Sequence, residues 1–135
     1  MRIVLDTNVL ISAIFFGGLP GKVLAAWRQG KIHIILSPEI FREYQEVGKE
    51  IAQRYPAVDA QPILDLVRIY AQWIDPTPME LPLCDDPDDV KFILCAVQAK
   101  ADFIISGDKH LLRLGGFENI KVLSPSVFMR QYLNQ

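Results

Sequence analysis

The sequence begins with Met1-Arg2-Ile3-Val4-Leu5-Asp6-Thr7-Asn8, an apolar run that changes abruptly into polar residues. Its apolar part, Ile3 to Leu5, does not alternate with polar positions, which is typical of a strand covered on both faces of a parallel sheet. We therefore expect this strand near the centre of the sheet. Open α/β sheets bind their ligands at the carboxyl ends of the strands, where Asp6 falls. The simpler interpretation makes Asp6 a helix cap, and Thr7 and Asn8 can also cap the helix that follows.

Composition indicates one folded domain that covers residues 1–135. Half of the residues are hydrophobic and 22% are charged, as in globular proteins. No apolar stretch approaches the roughly 18 residues that span a bilayer, and Asp6 interrupts the first apolar run too early for a signal peptide. We expect a soluble, cytoplasmic protein with no membrane partner. Cys84 and Cys95 are expected to be reduced and buried, and neither has the spacing of a zinc site.

The charge balance bears on the partners of the protein. The formal net charge is -2 and the pI is about 5.6, which argues against a protein that binds nucleic acid through bulk electrostatics. Local binding stays compatible with this balance, because acidic residues gathered at a metal site lower the net charge while basic residues elsewhere meet phosphates.

Helix and strand signals alternate along the rest of the chain. Apolar spacing and capping residues predict helices at 20–30, 37–54, 62–73, 86–100 and 124–132. Buried strands are predicted at 32–36, 103–105 and 120–123, and residues 74–83 are expected to be extended with a short edge strand at most. This alternation predicts a parallel α/β sandwich with right-handed crossovers.

The helix that begins at Ser37 carries glutamates at 39, 43, 46 and 50. A solvated acidic face explains three of them. Glu43 lies roughly 80° from the centre of the apolar stripe at about 100° per residue, nearer than the other three. It is thus expected at the seam between core and solvent, where a carboxylate is held by packing and still reaches a cleft.

The densest cluster of charge is Cys84-Asp85-Asp86-Pro87-Asp88-Asp89. Helix structure alone can explain why acids gather here, because Asp86 is expected to cap a helix and acidic side chains are favourable near the positive N-terminal end of a helix. The directions of the side chains are not explained by it. Lys91 and Gln98 mark the polar side of this helix, and Asp89 projects nearly opposite them. An aspartate that points inward is costly unless a cation or a proton neutralises it.

Asp108 follows the strand at 103–105 as Asp6 follows the first strand. A helix cap and a site role explain it equally well when it is taken alone. Together with Glu43 and Asp89, the two strand-end aspartates can converge on one edge of the sheet. Oxygen ligands of this kind suit hard divalent cations, Mg²⁺ or Mn²⁺.

At four places the chain resembles the PIN-domain nucleases, and within them the PIN-like toxin components of bacterial and archaeal toxin-antitoxin pairs. The matching segments are Val4 to Val9, Leu36 to Glu43, Asp85 to Asp89 with Phe92, and Ser106 to Lys109. No one of these motifs is specific, whereas four in this order are. The resemblance covers the whole chain and implies a three-layer α/β sandwich with a central parallel sheet.

The same resemblance implies a metal-dependent endoribonuclease that hydrolyses phosphodiester bonds without a histidine or serine nucleophile. Its implied ligands for Mg²⁺ or Mn²⁺ are Asp6, Glu43, Asp89 and Asp108. Asn8 and Ser106 are implied as polar supports of these ligands. The register of the third motif leaves Asp85 and Asp88 as alternates to Asp89, which the helical-face argument favours. His110 adjoins Asp108 and is interpreted as a helix-surface residue rather than a proton shuttle.

The partners implied are an RNA substrate, an inhibitory antitoxin protein and a second copy of the chain. Trp73, Phe128 and Tyr132 exceed the apolar surface that so small a sheet can cover, so we expect some of them at an interface. Two other functions remain open. An aspartate-nucleophile phosphatase or phosphotransfer domain is disfavoured by Asn8, which stands where a second aspartate is common. A non-catalytic module that binds RNA or protein is disfavoured because all four acids are present.

Overall fold

The computed structural model describes residues 1–81 and 86–133. In this part of the chain, the strands are β1 (Arg2–Leu5), β2 (His33–Leu36), β3 (Gln72–Trp73), β4 (Phe103–Ile105), β5 (Gly116–Phe117) and β6 (Ile120–Leu123). The helices are α1 (Thr7–Phe16), α2 (Gly18–Arg28), α3 (Pro38–Arg54), α4 (Gln61–Tyr70), α5 (Val90–Ala99), α6 (Lys109–Leu114) and α7 (Pro125–Tyr132). A short 3-10 turn, Pro87–Asp89, leads directly into α5.

One six-stranded sheet has the order β3-β2-β1-β4-β6-β5. All neighbouring strands are parallel except β5 and β6, which form an antiparallel hairpin at one edge. The predicted α/β sandwich with a central parallel sheet is therefore confirmed. β1 lies between β2 and β4, and its apolar side chains are fully buried. The central position expected for this strand is also confirmed, and it places Asp6 in the middle of one sheet edge.

Helix capping explains why several boundaries follow the local sequence. Ser37 caps α3 by accepting a hydrogen bond from the Ile40 amide at 3.3 Å, and Ser124 caps α7 through the Val127 amide at 3.2 Å. Each serine precedes a proline at the first helical position, where the missing amide hydrogen costs nothing. The cap of α3 fixes the start of the helix that carries Glu43.

The segment after Asn8 and the end of α4 differ from the prediction. Thr7 and Asn8 lie inside α1 rather than at its cap, and α2 begins at Gly18, ahead of the predicted start. α4 ends at Tyr70, and Trp73, predicted as helical, belongs to β3. Pairing with β2 extends the chain here, and the Trp73 indole donates to the Arg68 carbonyl at 2.8 Å, at the end of the helix.

The β5–β6 hairpin is absent from the prediction. Its tight approach requires glycine, because a Cβ at Gly116 would lie 2.7 Å from the Ile120 carbonyl oxygen. The predicted helix at 86–100 also starts differently, since its first turn is the 3-10 turn Pro87–Asp89. Two-residue strands such as β5 depend on a partner strand that is not a local property of the sequence.

The three residues considered for an interface differ in how exposed they are in the structure. Phe128 is fully buried and packs against the rings of Phe103 and Tyr132, so it is not among the residues that can reach a partner. Tyr132 is half-buried in the same aromatic cluster. Trp73 is 40% exposed, beside the Phe41 ring, and remains available to a partner.

Within the described residues, no single helix has both the length and the apolar character needed to cross a membrane. Taken together, α1 and α2 meet those criteria of length and composition, but they are bent by 96° at the break between them.

Candidate active site

Two neighbouring strands deliver polar residues to the same edge of the sheet. Asp6 comes directly after β1, and Ser106 directly after β4. The Asp6 amide donates to the Ile105 carbonyl at 3.0 Å, so the strand ladder continues up to the site. The hydrogen bonds of the parallel sheet therefore extend to this edge.

Asp6 occupies the N-cap position of α1, yet its side chain makes no capping hydrogen bond. Its Oδ2 instead accepts a hydrogen bond of 2.6 Å from the Ser106 hydroxyl. Asp6 as a residue is only 7% exposed. A helix cap consequently does not explain why an aspartate stands here.

Ser106 connects Asp6 with Asp108. Its fully buried hydroxyl donates to Asp6 and accepts a hydrogen bond of 2.9 Å from the Asp108 amide. Asp108 also caps α6, because its Oδ1 accepts from the His110 amide at 2.7 Å. That cap is the structural role considered for Asp108, and it occupies one of the two carboxylate oxygens.

Asp89 ends the 3-10 turn and is 7% exposed, so the inward direction predicted for it is confirmed. Burial raises the pKa of its carboxyl from 3.8 to about 6, and the charges of Asp108, Asp86 and Asp6 add to the rise while His110 opposes it. These couplings place Asp89 within electrostatic reach of both strand-end aspartates. The alternates differ, since Asp88 is exposed and Asp85 lies outside the described residues.

The pKa of Asp6 is raised as well. Burial is the largest cause, and the negative charges of Asp108 and Glu43 contribute, while the hydrogen bond from Ser106 lowers it. Repulsion between the carboxylates therefore contributes to the raised pKa of Asp6, but loss of hydration contributes more.

Glu43 is half-buried on α3, at the seam where the sequence predicts it. The next residue, Tyr44, holds this helix against the site, since its fully buried hydroxyl donates to the Leu5 carbonyl at 2.6 Å. Sequence reasoning missed this role. A signal was present, because a tyrosine in an otherwise apolar stripe needs a partner for its hydroxyl.

The assignment of Lys91 to the polar face of α5 is wrong. Its side chain is 9% exposed, and its Nζ lies 2.5 Å from Oε2 of Glu43 on α3. A helical projection sorts residues by direction from one axis, whereas a long lysine side chain can reach a charge on another helix. Gln98, the other marker, bonds the backbone of Thr77.

A protein-family model described as the PIN domain matches residues 2–110 of the chain. This range contains all four predicted acids. The chain belongs to the PIN-domain family. It is also similar to the uncharacterized protein MJ1680 of Methanocaldococcus jannaschii, with 32% identity over 145 residues that cover 98% of this chain and 92% of the relative. PIN domains are in general hydrolytic nucleases that use divalent metals. The edge of the sheet that carries Asp6, Asp89 and Asp108 is called the acidic edge below.

The hydroxyl of Thr7, beside Asp6 in this PIN domain, is a second feature that the sequence reasoning missed. It is buried and has no hydrogen-bond partner within the described part of the chain. A buried hydroxyl without a partner is costly, and this one belongs to the residue that directly follows Asp6. Asn8, by contrast, is exposed on the first turn of α1, and its supporting role stays a prediction.

The side chains at this edge of the PIN domain decide whether a divalent cation fits there. Across residues 1–81 and 86–133, no three His, Cys, Asp or Glu side chains form a ready-made metal-binding group. The carboxylates nevertheless act on one another through their charges. Mg²⁺ usually keeps several waters and takes only one or two carboxylates directly. An oxygen-rich edge with spaced carboxylates therefore fits a hydrated hard cation.

Proposed function

We propose that this PIN domain is a metal-dependent endoribonuclease. The observation that carries the proposal is the acidic edge itself, where two aspartates with raised pKa values are buried within electrostatic reach of a third. Burying carboxylates side by side opposes folding. A divalent cation would offset that cost, and it is also a group that can promote phosphodiester hydrolysis.

The proposed ligands are Asp6, Glu43, Asp89 and Asp108, with Mg²⁺ or Mn²⁺ as the cation. When bound, such a cation lowers the pKa of a water and neutralises charge that develops on the phosphate. Ser106 keeps Asp6 and Asp108 in a fixed relation through its two hydrogen bonds. Because its hydroxyl is fully buried and engaged on both sides, Ser106 is not placed to act as a nucleophile.

The decisive experiment compares three substrates: single-stranded RNA, single-stranded DNA and a small aryl phosphate. Each is incubated with purified protein in Mn²⁺, in Mg²⁺ and in EDTA. Cleavage of the RNA with either metal, and none in EDTA, is the expected result. Hydrolysis of the aryl phosphate alone would indicate a phosphatase, and no reaction at all would indicate a binding module.

We further propose that the ribonuclease is the toxin of a toxin-antitoxin pair, a role suggested by the resemblance of its four motifs. Induced expression in a bacterial host is expected to arrest growth. The matched control is Asp6→Asn, which is expected to leave growth unaffected. Growth arrest by both forms would detach the effect from RNA cleavage.

We also propose a homodimer and an inhibitory partner protein. Trp73 offers exposed aromatic surface at the edge strand β3, which supports an interface there. Sedimentation at micromolar concentration is expected to give twice the chain mass of 15.3 kDa. A measured mass equal to one chain would contradict the dimer proposal but would not affect the nuclease proposal.

A further inference from the structure

Lys91 has an ammonium group that is fixed in place. Its side chain is 9% exposed, its Nζ lies 2.5 Å from Oε2 of Glu43, and it donates to the Asp88 carbonyl at 2.7 Å. The ring of Phe92 lies 5.1 Å away, measured to its centroid. An ammonium group has three N–H donors, and these two contacts within the described chain use two of them.

The position of Lys91 relates it to the acidic edge. Its partner Glu43 is near enough to Asp6 for the Glu43 charge to raise the pKa of Asp6. Its other partner, Asp88, is the immediate neighbour of Asp89 in the 3-10 turn. Lys91 therefore connects Glu43, a proposed ligand on α3, with the backbone of the turn that carries Asp89.

The positive charge of Lys91 bears on how a nucleic-acid substrate would bind at the acidic edge. RNA phosphates are negative, and an edge built from aspartates repels them. A cation at the aspartates removes part of that repulsion, while Lys91 adds a positive charge whose place is set by protein contacts. Since a carboxylate has two oxygens, the ion pair between Lys91 and Oε2 would leave the second oxygen of Glu43 free to help hold a cation.

We propose that Lys91 is a further catalytic residue of this nuclease, whose ammonium contacts a phosphate oxygen of the RNA strand at the scissile bond. Glu43 acts on that contact as a positioning residue by holding the ammonium. This inference rests on the proposed ribonuclease function. A purely structural clasp between α3 and α5 is the alternative, and it would affect the melting temperature but not RNA affinity.

The test measures binding of a fluorescein-labelled single-stranded RNA by anisotropy at several salt concentrations. Ca²⁺ replaces Mn²⁺ to slow cleavage, which gels of the same samples monitor. Lys91→Met is expected to weaken binding about three- to tenfold. It is also expected to reduce the slope of log affinity against log salt by about 0.7, the value for one phosphate contact with a single strand.

Three controls separate charge from folding. Lys49→Met removes an exposed lysine of α3 and is expected to leave the slope unchanged. Lys91→Arg keeps the charge and is expected to keep the slope. Calorimetric titration of Mn²⁺ into the RNA-free wild-type and Lys91→Met proteins separates an effect on the cation from an effect on RNA, because Glu43, the partner of Lys91, is itself a proposed ligand. If Lys91→Met does not fold, Lys91→Gln replaces it.

Several outcomes would overturn the proposal. An unchanged salt slope in Lys91→Met and Lys91→Gln would assign Lys91 to structure alone. If the Lys91 variants bind both Mn²⁺ and RNA more tightly than the wild type does, Lys91 inhibits binding at the site, and the proposal is wrong. If the wild type cleaves RNA and the Lys91 variants bind and cleave it equally well, the Lys91 proposal fails and the ribonuclease proposal survives. If the wild type neither binds nor cleaves RNA, both proposals fail.

Discussion

Among single residues, the aspartates of the acidic edge differ in what their oxygens do. Asp108 caps a helix, so part of its presence has a structural explanation. Asp6 and Asp89 are buried, and both have raised pKa values. Buried charges of this kind oppose folding in the metal-free protein. Replacing them is therefore expected to lower activity without lowering stability.

Asp6→Asn is expected to lower metal-dependent RNA cleavage by at least about 100-fold, the order by which removal of one catalytic electrostatic group slows a reaction. The amide keeps an oxygen that can accept from Ser106 and removes a buried charge. The melting temperature in EDTA should therefore stay the same or rise. Asp75→Asn, at an exposed site, is the control. Cleavage near the wild-type rate would move the chemistry elsewhere.

Asp89→Asn gives a prediction about pH. The folded protein holds a proton at Asp89 up to about pH 6, above the ordinary carboxyl pKa of 3.8, so this residue lowers stability as pH rises through that window. The variant loses that dependence. At pH 7.5 in EDTA its free energy of unfolding should exceed that of the wild type by up to about 3 kcal/mol, with little difference at pH 4. Urea denaturation at both pH values measures this, and parallel pH profiles would contradict the raised pKa.

At the scale of elements, the accuracy of prediction follows how local each signal is. The starts of α3 and α7 are predicted well because Ser37 and Ser124 cap through their own first turns. β3 and β5 exist only because β2 and β6 offer backbone partners. Lys91 is misplaced for a related reason, since its contact with Glu43 joins two helices that are distant in sequence.

The joint between α3 and β1 carries its own prediction. Tyr44→Phe removes the hydroxyl that donates to the Leu5 carbonyl and leaves that buried oxygen without this partner. Such a loss costs about 1–3 kcal/mol, so the free energy of unfolding should fall by that amount. Cleavage should fall too, because Glu43 is adjacent on the same helix. Tyr55→Phe, at an exposed tyrosine, is the matched control. Equal urea midpoints for the two variants would show that the joint contributes nothing.

For the whole molecule, the acidic edge joins residues that are far apart in sequence, from Asp6 to Asp108, so a ligand there stabilises the complete fold. The sequence predicts which residue types gather, because strand ends and helix seams are readable as patterns. It cannot give the distances between their carboxyl groups, because side-chain packing sets those distances. Within the described residues, no three such groups lie close enough together to form a ready-made metal-binding group.

Mn²⁺ is accordingly expected to raise the melting temperature of the wild-type protein. A ligand that binds only the folded state at 100 times its Kd adds about 2.7 kcal/mol, which corresponds to a rise on the order of 10 °C for a domain of this size. The relief of buried carboxylate charge makes the effect depend on the aspartates, so Asp6→Asn should show a clearly smaller rise, while Asp75→Asn should match the wild type. Thermal melts in EDTA and in increasing Mn²⁺ measure the shift. A rise of the same size in wild type and Asp6→Asn would place the cation away from this edge of the sheet.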